Sequence, residues 1–177
     1  MSCGSHGLII PAEHGIVMKK SRRGFTEGLS IFKQKQIHSL CYDLLENDFK
    51  IIRVPKLVSS VITYKMETID TSRPLFLGDS DSCANYPSRM IEEIVSELSV
   101  FWELLWDEGY AAWDFELFVQ PDGSVAMIDF DRFGVRRVKQ HEQPYLEEYK
   151  FFQHACFPHQ FQNLLRPEFR TQGWLSR

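Results

Sequence analysis

Residues 116–131 read "ELFVQPDGSVAMIDFD", and the reading of this stretch decides the fold. Two apolar runs flank Pro121-Asp122-Gly123, a turn sequence in which proline presets φ and glycine accepts the left-handed conformation, so the stretch predicts a β-hairpin. The second run ends in Asp129-Phe130-Asp131 and is followed by Arg132 and Gly134. A carboxylate at the mouth of a buried strand costs several kcal/mol when nothing faces it. Asp129 is therefore expected to meet a cation, hydrogen-bond donors or a metal ion.

Upstream, "RMIEEIVSELSVFWELLWDEG" (89–109) sets Ile91, Ile94, Val95, Leu98, Phe101, Trp102 and Leu105 on one stripe, predicting an amphipathic helix ended by Gly109. Residues 71–88, "TSRPLFLGDSDSCANYPS", are rich in turn formers and read as a linker or lid. Before them, "GIVMKK" is a strand candidate, and "TEGLSIFKQKQIHSLCYDLLEN" carries Leu29, Phe32, Gln36, Ile37, Leu40 and Leu44 at helical spacing. "IIRVPKLVSSVITYKMETID" reads as two strands broken by a loop, with Pro55 excluded from a central strand. The tail from Pro144 is aromatic and reads as helical.

At 177 residues and 44% hydrophobic content, the chain can bury one compact core or two small lobes around a cleft. Twenty basic against 24 acidic residues leave a formal charge of −4, which argues against wholesale nucleic-acid binding but not against a local basic patch. "RFGVRRVK" is such a patch, either a solvated face or an anion-binding surface. No apolar run is long enough to span a membrane and the N-terminus lacks a secretory pattern, so a soluble, cytoplasmic protein is expected. Cys3, Cys41, Cys83 and Cys156 form no CxxC pair, making reduced thiols the default. His154, Cys156 and His159 cluster in "HACFPH", where packing is a commoner role than metal binding.

Taken in chain order, "CGSHGLI", "IVMKK", a helix, "RVPKLV…YKMET", a helix ending in glycine, "AAWDFE" and a hairpin ending in "IDFD" resemble the protein-kinase-like fold, which includes protein kinases, aminoglycoside phosphotransferases and Kdo kinases. The resemblance implies an α+β, two-lobed fold. Residues 1–70 would form a small N-terminal sheet lobe with one helix, and 71–177 a truncated, mainly helical C-terminal lobe. Gly4 and Gly7 would belong to a phosphate-covering loop, with Ile9 in its valine position. Lys19 would bind the ATP phosphates while Lys20 points away, although a solvated Lys-Lys pair is the alternative. The family's helix glutamate is replaced by Gln36, unless Glu27 substitutes. Met66 would back the adenine, with the backbone of Glu67 and Ile69 along the purine edge.

For the catalytic loop, the resemblance implies Asp114 as the residue that positions or deprotonates an acceptor hydroxyl. Ala112 and Trp113 stand at the usual histidine and arginine, and Glu116 at the usual metal-binding asparagine, in a loop about three residues short. Asp129 would hold Mg2+ or Mn2+ across the nucleotide phosphates, joined by Glu116. Asp131 replaces a glycine and is open to metal contact or to an ion pair with Arg132. The implied activity is transfer of the ATP γ-phosphate to an unidentified small-molecule or protein hydroxyl. The alternative is an inactive pseudokinase serving as a nucleotide- or protein-binding module. The short stretch after Gly134 argues against a peptide-docking platform.

Overall fold

The structure, a computed structural model, describes residues 2–3, 7–21, 31–46, 49–58, 63–77, 80–112, 115–130 and 135–137. The chain is α+β. Its elements are strands β1 (Ser2–Cys3), β2 (Gly7–Glu13) and β3 (Ile16–Ser21), helix α1 (Ile31–Leu45), strands β4 (Ile52–Arg53), β5 (Leu57–Val58), β6 (Tyr64–Glu67) and β7 (Pro74–Leu75), helices α2 (Ser80–Ala84) and α3 (Ser88–Asp107), and strands β8 (Tyr110–Ala112), β9 (Glu116–Val119), β10 (Val125–Ile128) and β11 (Val135–Arg137). A five-stranded sheet runs β1-β2-β3-β6-β5, a four-stranded sheet β4-β10-β9-β7, and β11 pairs with β8. Among the described residues no helix is long and apolar enough to cross a membrane.

The hairpin forms as its turn chemistry dictates. Val125 pairs with Val119, the Gly123 N–H donates to the Gln120 carbonyl at 3.0 Å, and Gly123 takes φ 86°. Asp122 accepts from the Ser124 N–H at 2.9 Å, an Asx turn that stiffens the corner. Helix α3 also follows its stripe: Ile91, Ile94, Val95, Leu98, Phe101 and Leu105 are all buried. Gly109, at φ 77°, ends it in the left-handed cap that glycine adopts without a Cβ clash.

Three expectations change. Helix α1 is rolled relative to the apolar stripe: Gln34, Ile37, His38, Cys41 and Leu45 face inward, while Phe32 stays 63% exposed and Gln36 is exposed. His38 can be buried because Tyr64 and the Pro55 carbonyl satisfy both of its ring nitrogens, which spacing alone does not reveal. The stretch 51–70 makes three strands rather than two, since β4 leaves the first sheet and pairs in parallel with β10, Ile52 opposite Val125. Described residues of the turn-rich 71–88 segment have partners of their own: Pro74 pairs with Phe118, and the Arg73 guanidinium lies 5.5 Å from the Tyr86 ring centre.

One apolar core joins these parts. Ile37 and Leu45 of α1, Ile94 and Leu98 of α3, and Val125 and Met127 of β10 all belong to it. Glu97 of α3 reinforces the junction, its carboxylate accepting the backbone N–H groups of Lys50 at 2.7 Å, Ile51 at 3.1 Å and Ile52 at 2.7 Å. The segment that carries β4 is thereby tied to α3. Tail features from Pro144, including His154, Cys156 and His159, lie outside the described residues, as do Arg132, Gly134 and Lys139 of the basic patch.

Candidate functional site

Strand pairing collects the candidate residues on one sheet face. Ile9 lies opposite Lys19, Lys19 opposite Tyr64, and Val17 opposite Met66, and directly paired residues project to the same side. Lys19, Tyr64 and Met66 are buried, whereas Lys20 is exposed by alternation. Gly7 sits at the start of β2, opposite Ser21; Gly4 lies outside the described residues.

Lys19 does not face Gln36, which is exposed on α1; Glu27 lies outside the described residues. Its ammonium instead meets the Asp129 carboxylate, Nζ to Oδ1 3.0 Å, bridging 110 residues of chain. The Lys19 side chain is 10% exposed and that of Asp129 36%, so the pair stands at the boundary between core and solvent. Asp129 also has φ 71°, the one left-handed non-glycine among the described residues. That backbone costs roughly 1 kcal/mol or more for an L-residue and concentrates at functional sites.

Behind the pair lies a buried relay. The His38 imidazole is 2.6 Å from the Pro55 carbonyl through Nε2 and 2.7 Å from the Tyr64 hydroxyl through Nδ1. A carbonyl only accepts, so Nε2 carries the hydrogen and Nδ1 accepts from the Tyr64 O–H. Phe130, next to Asp129, packs edge-on to the same imidazole at 5.5 Å between ring centres. Burial is the main reason the His38 pKa falls to about 4; Lys19 adds to the fall, while the Pro55 carbonyl and Glu67 oppose it. Burial, with the Asp129 charge, likewise pushes the Tyr64 phenol far above its ordinary value.

This histidine makes stability depend on pH. Its folded pKa lies below the unfolded value near 6.5, so the unfolded chain binds the extra proton, and stability drops as pH falls from about 6.5 to about 4. The full loss is on the order of 3 kcal/mol at 1.36 kcal/mol per pKa unit. Urea midpoints across this range should fall in the wild type and flatten in His38→Gln. Equal slopes in the two proteins would remove His38 as the cause.

The segment after β6 is pinned at both ends. The Glu67 N–H donates to the Lys56 carbonyl at 2.9 Å and the Thr68 N–H to Gly15 at 2.8 Å. The Gln120 side chain holds Asp70, accepting its N–H at 3.0 Å and donating to its carbonyl at 3.0 Å. Ile69, half-buried, lies between these anchors. Gln120→Leu would strand both Asp70 backbone groups and is expected to cost about 2 kcal/mol in urea unfolding. A change below about 0.5 kcal/mol would show that water satisfies them equally well.

Around Asp129, Glu116 is exposed on β9 opposite Ile128, the residue preceding Asp129. The hairpin thus brings two carboxylates to one strand end. Their hard oxygen donors suit Mg2+, which takes one or two carboxylates and fills its remaining positions with phosphate oxygens and water. Among the described residues no three His, Cys, Asp or Glu side chains form a metal-binding group. Asp114, Trp113 and Asp131 lie outside those residues, and Ala112 ends β8.

The Glu67 side chain pairs with Arg53, which also donates to Ser124 at 3.1 Å. It lines a cleft of about 330 Å³ with Tyr42, Leu45, Phe49, Ile52 and Arg53, and neither Lys19 nor Asp129 is among the lining residues. His38, Tyr64, Glu97 and Gln120 carry no motif; the signal available for them is a polar residue inside an otherwise apolar pattern. No family model matches the chain, and no curated protein matches it.

Proposed function

We propose that the chain is a minimal, two-lobed kinase-like phosphotransferase that moves the γ-phosphate of ATP to a hydroxyl acceptor. The observation that carries this reading is the ion pair between Lys19 and the left-handed Asp129 beside the buried Met66 face. A buried ammonium facing a carboxylate at a strand end is the charge arrangement that a magnesium nucleotide needs: a cation for phosphate oxygens and an anion for the metal. Lys19 orients the phosphates, and Asp129 with Glu116 holds Mg2+. When bound, the ion neutralises phosphate charge. Asp114 accepts the hydroxyl proton as the acceptor oxygen bonds to phosphorus and the bond to the ADP oxygen breaks. Met66 backs the adenine, while the backbone of Glu67 and Ile69 lies along its edge, with Gly4 and Gly7 over the phosphates.

One observation favours a binding-only module instead. The inward face of α1 bears Gln34 and His38 and no carboxylate, so this helix offers Lys19 no counter-charge there. Incubation of the purified chain with labelled ATP and Mg2+ or Mn2+, alone and with cell lysate, distinguishes the two. Label on the chain, a protein or a small molecule supports transfer. Thermal stabilisation by nucleotide without transfer supports the module. Neither effect would sink both.

A further inference from the structure

We propose that His38 is a positioning residue for the Lys19–Asp129 pair, acting through Tyr64 and Phe130; its effect on ligand rests on the nucleotide reading above. The imidazole reaches both halves of the pair from behind. On one side, it takes the hydroxyl hydrogen of Tyr64, the residue paired directly with Lys19 across β3 and β6. Tyr64 also meets the His38 ring edge-on, 5.5 Å between centres, so bond and ring contact together hold the phenol beside the lysine stem.

On the other side, Phe130 is fully buried against the imidazole, the planes at 82°. Phe130 follows Asp129, whose left-handed backbone sends the chain sharply round. Anchoring the ring therefore limits where the preceding carboxylate can lie. The Pro55 carbonyl holds the opposite edge of the imidazole and fixes its tautomer. Helix α1 thus controls lysine and aspartate through one side chain with both nitrogens engaged.

The test uses the full chain with 15N-labelled lysine, the Lys19 ammonium signal being identified by its loss in Lys19→Met. Tyr64→Phe removes one hydroxyl, and His38→Phe keeps a ring beside Phe130 but loses both hydrogen bonds. Each is expected to shift or broaden the Lys19 signal at temperatures where circular dichroism shows a folded protein, and to weaken magnesium-ADP binding about tenfold. His38→Gln can donate to Pro55 and accept from Tyr64, and should recover part of both effects. An unchanged Lys19 signal in the folded variants, with only a lowered melting temperature, would make His38 simple core packing and overturn the proposal. If His38→Phe does not fold, Tyr64→Phe decides. A Lys19 response in a chain whose wild type binds no nucleotide would support the positioning role and sink the nucleotide reading instead.

Discussion

Asp129→Asn is expected to lower phosphate transfer on the order of 10²–10³-fold and to weaken magnesium-dependent nucleotide binding, because it removes the negative charge the metal would face. The fold should survive. Asparagine keeps the size of the side chain and is among the residues that tolerate φ 71°. The Lys19 ammonium loses its carboxylate partner, but the Asp129 side chain is 36% exposed, so water screens and replaces part of the lost attraction. The stability cost is accordingly about 1 kcal/mol. Isothermal titration with ADP at several Mg2+ concentrations, beside a melting curve, checks both statements. An unaltered metal dependence would refute Asp129 as a ligand, and a large stability loss with intact binding would make the pair architectural.

Glu97→Ala is expected to give the largest loss of stability, on the order of 3 kcal/mol. Three backbone N–H groups, those of Lys50, Ile51 and Ile52, would lose one shared carboxylate. Ile52 is buried, so its amide cannot turn to water without opening the core that α1, α3 and β10 share. Glu97→Gln should recover little, since its amide NH2 would face donors. Urea unfolding measures the loss, and amide exchange at residues 50–52 localises it. A loss below about 1 kcal/mol with unchanged exchange would mean that the clamp contributes little beyond packing.

Much of the scaffold was legible because local rules and tertiary context agreed. The 116–131 hairpin follows from Pro121-Asp122-Gly123, and α3 from its apolar stripe and Gly109. The inward Lys19 and outward Lys20 follow from strand alternation, and Asp129 met a cation as its strand-end position required. Helix α1 departs from its apolar stripe for an equally physical reason. Phe32 belongs to its apolar stripe yet is exposed, and His38 lies outside that stripe yet is buried, since hydrophobicity weighs residues without their partners.

The sequence alone therefore determined where the chain turns, which strand carries Lys19 and that a carboxylate closes the hairpin, all consequences of interactions within a few residues. Only the tertiary structure decided that Lys19 pairs with Asp129 rather than with a residue of α1, that β4 joins β10, and that His38, Glu97 and Gln120 tie distant segments together. Each of these links spans tens of residues and depends on satisfying a buried polar group, a condition that exists only once the surrounding surfaces have excluded water.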